Sequence, residues 1–262
     1  WLIYLGYGVL GGIALGIGYI SPVSTLIKWF PDRPGMATGM AIMGFGGGAF
    51  IASPLSVWLM SKFNTPSHIG VMETFIVLGV VYFCFMIVGS IIVRVPAPGW
   101  APAGYVAPET SKKLITRNDV FVYDAIKTPQ FWLIWWVLCL NVTAGIGVLG
   151  QASAMSQEMF PGKITPIAAA GFVGLMSLFN MGGRFSWASL SDYIGRKNTY
   201  FVYMVLGFIL YCTVPFAGNS GNVVLFVCCF LVIISMYGGG FSTVPAYLKD
   251  MFGVRYVGAI HG

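Results

Sequence analysis

The sequence predicts an all-α membrane protein, a bundle of seven transmembrane helices, and three observations predict it. Apolar residues make up 57% of the 262 positions and charged ones 8%, with a mean hydropathy of +0.82, whereas a soluble domain needs far more charge to cover its surface. The apolar residues are gathered into long runs separated by short polar breaks. The basic residues fall almost entirely on alternate breaks. Strands are excluded, because a membrane barrel shows alternating segments of ~10 residues.

The runs span roughly 2–29, 36–60, 70–95, 130–157, 164–190, 198–217 and 222–248, and each meets the ~20 residues a helix needs to cross the hydrocarbon. The first contains Gly6-Tyr7-Gly8-Val9-Leu10-Gly11, which matches GxGxxG but has no preceding strand and no βαβ unit. Its glycines read instead as small-xxx-small pairs for close helix approach, Gly8/Gly12 and Gly12/Gly16. The second run adds Gly35/Gly39, Gly44/Gly48 and the stretch Gly44-Phe45-Gly46-Gly47-Gly48, suited to packing or to a helix that bends during a working cycle. After the third run comes the one long polar segment, 96–128, with Pro96, Pro98, Pro102 and Pro108 before Lys112, Lys113, Arg117, Asp119, Asp124 and Lys127. It reads as a surface linker with a short interfacial helix at 118–127. Three spans precede it, in 1–95, and four follow, in 129–262.

If the Lys28–Arg33 break is cytoplasmic, loop parity places Lys28, Arg33, Arg94, Lys112, Lys113, Arg117, Lys127, Arg196, Lys197, Lys249 and Arg255 inside, and Lys62 and Lys163 outside. The loops 30–36, 96–128, 191–197 and 249–256 are then cytoplasmic, as the positive-inside rule requires. The net charge of +6 therefore sets topology and does not mark a nucleic-acid binder. Cys84, Cys139, Cys212, Cys228 and Cys229 lie within spans with no CxxC pair and read as small apolar packing residues. His68 and His261 are too few and too far apart for a metal site, so no metal and no cofactor is expected. No nucleophile–base pair appears in the spans, and the chain does not read as an enzyme.

An internal repeat is the more informative feature. Shifting the sequence by 222 residues brings Gly16 onto Gly238, Gly18 onto Gly240, Tyr19 onto Phe241, Leu26 onto Leu248, Phe30 onto Phe252, Arg33 onto Arg255 and Ala37 onto Ala259. Both copies run from outside to inside, so the repeat is parallel, the arrangement of the two six-helix halves of a major-facilitator carrier. The first and last runs then correspond to helices 4 and 10 of twelve. Residues 1–95 close one half, 96–128 connect, and 129–262 open the other with helices 7–10 and the approach to 11. Both ends of the chain read as truncations.

Arg184 stands out. It lies eight positions before Asp192, ~12 Å along a helix from the cytoplasmic end, where an unpartnered charge costs at least ~2.5–3.5 kcal/mol. Glu73, Glu158, Asp192 and Asp250 all sit at span ends. A guanidinium facing a cavity is a site for an anion and fits a carboxylate bidentately, with Asn180 one turn back to orient it; the alternative is snorkelling to the headgroups. Tyr237 and Phe241, one turn apart, and Tyr19, at the repeat position of Phe241, are candidates to line the cavity, or plain packing residues. Gln151 and Asn141 are polar in-membrane residues that line the pathway or join helices. Asp192, Gly195, Arg196 and Lys197, following Ala188, combine an acid at a helix end with a turn glycine and two bases. They read as a clamp on two cytoplasmic helix ends, or as an ordinary charged turn.

These segments resemble a known family. Lys28-Trp29-Phe30-Pro31-Asp32-Arg33-Pro34-Gly35-Met36-Ala37-Thr38-Gly39 resembles the loop 4–5 signature of the oxalate/formate antiporter family. Similar likenesses lie in Pro98 to Tyr105, in Lys127 to Trp132, in Asn141 to Gly145 and in Asn180 to Arg184. Ala188 to Lys197 resembles the loop 8–9 copy of the major-facilitator signature, with Ala188 in place of the usual glycine. More distantly the chain is similar to monocarboxylate transporters. Pro34 departs from the pattern, where a second basic residue is common. The resemblance implies a twelve-helix carrier working by alternating access, with the arginine at the position of Arg184 on the substrate carboxylate.

The expectation is secondary transport of a small mono- or dicarboxylate such as oxalate, formate, lactate or pyruvate, in a bacterial inner membrane. Exchange is favoured because no acid lies deep in these spans; coupling to a proton or to a counter-anion stays open. The alternatives are a carrier of the same fold for a neutral or cationic solute, and a seven-helix receptor, against which the repeat and the mid-chain linker both argue.

Overall fold

The protein is described here by a computed structural model that covers residues 1–97, 99–105, 116 and 118–262. Pro98, Pro108, Lys112, Lys113 and Arg117 of the linker lie outside the described residues. Among the described residues nine α-helices follow in order: α1 (Gly11–Trp29), α2 (Pro34–Phe63), α3 (Val71–Ile92), α4 (Val122–Ala125), α5 (Pro129–Met159), α6 (Pro166–Ile194), α7 (Arg196–Asn219), α8 (Val223–Phe252) and α9 (Val257–His261). A π-helical stretch, Tyr4–Leu10, leads into α1. Of the seven long helices, six are long and apolar enough to cross a membrane. The remaining one, α6, is 29 residues long and carries Asn180, Arg184, Ser191 and Asp192 along its length.

The helix starts follow from local chemistry. Proline opens α2, α5 and α6, where its missing N–H goes unmissed and its fixed φ suits the first turn. The side chains of Thr128, Thr165 and Asn222 accept the N–H groups of Phe131, Ala168 and Leu225 at 3.4, 3.2 and 3.0 Å, the usual N-cap arrangement. Gly195, at φ +87°, turns the chain directly from α6 into α7.

The bundle is built around α8, which is enclosed by α2, α5, α6 and α7. One apolar cluster fills the end bearing the basic loops, with Val23, Ile27, Ile42, Tyr200, Leu248 and Phe252. A second fills the opposite end around Phe160, Phe172, Phe226 and Phe230. By contrast α3 exposes Phe75, Phe83, Phe85 and Ile91, an apolar surface that lipid solvates and water would not. Only Cys229 of the five cysteines is buried. Cys84, Cys212 and Cys228 face outward and Cys139 is partly covered, so packing does not explain most of them.

Glycine decides the closest helix contacts. A Cβ on Gly39 would lie 2.8 Å from the Arg184 carbonyl oxygen, and one on Gly46 2.6 Å from the Met181 nitrogen. At Gly35 it would meet the Ala188 carbonyl oxygen, and at Gly183 the Ser235 backbone. Thus α2 lies backbone to backbone along α6, and α6 along α8; the hydroxyl of Ser177 donates to the Gly46 carbonyl across the first contact at 2.7 Å. The Gly35/Gly39 pair is used as expected. Gly8, Gly12, Gly16, Gly44 and Gly48 differ: nothing among the described residues lies within 4 Å of a Cβ built there. Spacing marks a small face but not the direction in which that face points.

The linker helix is shorter than the expected 118–127. Before α4 the chain runs beside the end of α8, with the Thr116 N–H on the Asp250 carbonyl at 2.8 Å and the Val120 N–H on Phe252 at 2.9 Å. Those bonds hold the residues before α4 out of a helix. Asp119 also accepts the Arg255 N–H at 2.9 Å.

Candidate functional site

Arg184 sits two-thirds of the way along α6 and is buried, with 6% of its surface exposed. Its Nε donates to Asn180 Oδ1 at 3.1 Å, a pairing that the i, i+4 spacing on one helix face dictates. The guanidinium carbon lies 5.3 Å from the ring centroid of Phe241 on α8, within cation–π range. Tyr237 packs edge-on against Phe241 at 5.4 Å. Tyr19, on α1, packs edge-on against Phe45 of α2 at 5.6 Å. Tyr19 and Tyr237 are ionisable side chains in the neighbourhood of Arg184. No carboxylate pairs with Arg184 among the described residues. The structure therefore gathers Asn180, Arg184, Tyr237, Phe241 and Tyr19 from three helices. Gln151 lies on an exposed face of α5 rather than in this buried group.

Toward the end opposite the basic loops, a cavity of about 510 Å³ opens between α2, α5 and α6, lined by Ser53, Pro54, Ser153, Gly174 and Ser177 among others. Ser177 stands two turns before Arg184 on α6, so the cavity lies on the side of Arg184 away from the basic end.

On the other side the helix ends are locked together. Asp192 accepts the Gly35 and Met36 N–H groups, 2.9 Å each, at its two oxygens. These are orphan donors of the first turn of α2, whose own N-cap residue, Arg33, offers no side-chain bond. A carboxylate there also answers the positive end of the helix dipole. Arg196 pairs with Asp192 at 2.6 Å and with Asp250 of α8 at 3.1 Å, and donates to the Ser191 hydroxyl. Lys249 lies 3.7 Å from Asp250 and donates to the Pro31 carbonyl at 3.3 Å. The cluster ties α2 and the loop before it to α6, α7 and α8. Of the four residues expected in the clamp, Asp192 and Arg196 make these bonds and Gly195 supplies the turn. Lys197 is exposed and takes no part, because one residue on around the first turn of α7 points away from the cluster.

Asn141, expected to line the pathway or join helices, abuts Gly240, and its buried Oδ1 has no partner among the described residues; sequence reasoning passed over Lys249, Asp250 and Ser191 as members of the cluster. The adjacent Lys–Asp pair at the end of the last span was the available signal for the first two.

Comparison with known proteins now bears on this geometry. A family model described as Major Facilitator Superfamily matches residues 1–262. The chain is 24% identical over 261 residues to an uncharacterized MFS-type transporter, YhjX, of Escherichia coli, covering 100% of this chain and 60% of that protein. It is 27% identical over 253 residues to the oxalate:formate antiporter of Oxalobacter formigenes, covering 97% and 56%. It is 24% identical over 308 aligned positions to apicoplast pyruvate carrier 1 of Toxoplasma gondii, covering 98% and 55%. The chain thus spans little more than half the length of these relatives.

Proposed function

The chain belongs to the Major Facilitator Superfamily, a multi-pass membrane protein on that membership and on its helices, and from this premise we propose that it forms part of a secondary carrier for small carboxylates. The carrier works by alternating access, with exchange as its basic mode, and its helices α1 to α3 and α5 to α8 stand as 4–6 and 7–10 of twelve.

The observation that carries the reading is Arg184: a guanidinium buried without an acidic partner among the described residues, steered by Asn180 and faced by Phe241. A buried unpaired cation costs several kcal/mol, on the order of the penalty left after relaxation and water penetration. A bound carboxylate recovers much of that cost through two parallel charge-assisted hydrogen bonds. Nε is engaged by Asn180, which leaves the terminal nitrogens for the anion. Tyr19, Tyr237 and Phe241 wall the site and exclude water, strengthening the pairing. The names of the two characterised relatives, an oxalate:formate antiporter and a pyruvate carrier, support this substrate class.

Alternating access requires one end to seal while the other opens. The Asp192–Arg196–Asp250 cluster serves as the seal at the basic end, which the charge rule makes cytoplasmic in a bacterial inner membrane. The cavity at Ser53, Ser153 and Ser177 lies on the opposite side, as the outward-facing arrangement requires.

Counterflow of radiolabelled oxalate, formate, lactate and pyruvate by the full-length protein in liposomes tests the proposal, with Arg184→Gln alongside. Exchange of at least one of them, lost in the variant, is expected. Exchange that survives Arg184→Gln retires Arg184 as the anchor. Exchange of none points to a neutral or cationic solute on the same fold.

A further inference from the structure

We infer that Gly145 on α5 sets the size of carboxylate the carrier accepts, by giving the ring of Tyr237 its seat beside the anion site. This rests on the reading of Arg184 as that site and adds a steric limit to it.

Gly145 is buried in the middle of α5, where glycine is destabilising relative to alanine. Packing against Tyr237 accounts for it. A Cβ built on Gly145 would overlap the Cδ2, Cγ and Cβ atoms of Tyr237 on α8. Around Gly147 and Gly150, further along the same helix, nothing among the described residues lies within 4 Å of a Cβ. Because the overlap includes the Tyr237 Cβ, turning the ring about its own axis does not relieve it. The whole side chain has to shift.

The geometry of α8 gives the direction of that shift. At ~100° per residue, Gly240, Tyr237, Phe241 and Gly238 follow one another round the helix over ~160°. Gly240 abuts Asn141 of α5, and Gly238 abuts Asn180 and Arg184 of α6. Between them Tyr237 packs edge-on against Phe241, with ring centroids 5.4 Å apart. The Arg184 guanidinium carbon lies 5.3 Å from the Phe241 ring. Tyr237 thus has α5 on one side and Phe241, with the guanidinium beyond it, on the other. A side chain at position 145 drives the ring toward Phe241 and narrows the space beside Arg184. Tyr237 also borders a cavity of about 140 Å³ between α5, α7 and α8, which Asn141, Gly145 and Met236 line as well. Retreat into it leads back across Gly145, where the added methyl would stand.

This order separates head from tail. Arg184 and Asn180 hold the carboxylate group, which every member of the substrate class shares, and a methyl on α5 touches neither of them. The displaced ring meets the rest of the molecule, so the smallest acid feels it least and longer acids feel it most. Gly145 touches no substrate; it is a positioning residue that acts through Tyr237.

The test uses the full-length protein in liposomes and whichever of the four labelled carboxylates it exchanges, competed by unlabelled formate, acetate, propionate and butyrate. The readout is the half-inhibitory concentration of the largest acid that competes in the wild type, divided by that of formate. Gly145→Ala should raise this ratio about tenfold or more, the discrimination one methylene supplies in a closed pocket. Gly147→Ala, with open space around it, should leave it within about twofold. In a Tyr237→Ala background, where the ring is gone, Gly145→Ala should also move it by no more than about twofold. A ratio unchanged or lowered in Gly145→Ala overturns the inference and leaves the anion site standing. A rise that survives in the Tyr237→Ala background assigns the effect to another contact and overturns it as well. If Gly145→Ala alone does not fold, the double variant decides. A folded double with the Tyr237→Ala ratio sustains the seat, and a double that also fails to fold overturns it. Counterflow of none of the four carboxylates overturns the anion-site reading, and this inference with it.

Discussion

Replacing Asp192 by Asn tests the seal at the basic end most directly. Asp192 is the cap that α2 lacks in its own sequence: its two oxygens hold the Gly35 and Met36 N–H groups at 2.9 Å each, and one of them also holds Arg196 at 2.6 Å. Asparagine keeps one acceptor and turns an NH₂ group toward the other donor. Losing one cap bond costs about 1 kcal/mol, and losing the charge-assisted bond to Arg196 about 1.5–3 kcal/mol. Arg196 retains Asp250 at 3.1 Å, so no fully stranded charge is added. The sum, about 3 kcal/mol, corresponds to about a hundredfold rise in the open fraction of this end. Amide hydrogen exchange read by mass spectrometry on the full-length protein should show residues 33–38 exchanging about a hundredfold faster in Asp192→Asn. Residues 203–214 of α7 should be unchanged and report that the fold is intact. If 33–38 exchange within about threefold of wild type, under 1 kcal/mol, the cluster is an ordinary charged turn and the seal lies elsewhere.

Two further substitutions probe the helix contacts and the anchor. Gly46→Ala would put a methyl 2.6 Å from the Met181 nitrogen, and forcing the backbones apart should cost about 1–3 kcal/mol. Gly44→Ala, with open space around it, should be neutral or stabilising, since alanine is the better helix former by up to ~1 kcal/mol; thermal midpoints of the purified proteins separate the two, and equal midpoints would refute the packing. Arg184→Lys keeps the charge but loses the Nε–Asn180 bond and the planar fork. Counterflow in Arg184→Lys should drop roughly ten- to a hundredfold, the worth of one hydrogen bond to a charged group, and full activity would reduce Arg184 to a point charge.

Much of the architecture was legible in the sequence. A run of apolar residues either reaches across the hydrocarbon or it does not, and that is decided within the segment; each of the seven expected runs became a long helix within a few residues. The starts at Pro34, Pro129 and Pro166 are equally local. Arg184 was visible because a buried charge is costly wherever the helix faces. Its partner Asn180 followed from i, i+4 spacing alone.

What only the tertiary structure decided is which way each helix face points and what meets it. Sequence spacing treats Gly44/Gly48 and Gly35/Gly39 alike, yet only the second pair lies against α6. It likewise treats Arg196 and Lys197 alike, although a 100° step around α7 buries one in the seal and exposes the other. The cap on α2 comes from a residue 157 positions away, and the Tyr19–His261 contact spans 242. Span length and charge placement are settled by each segment's own exchange between water and lipid. Helix rotation and long-range pairing are settled by packing, which no single segment contains.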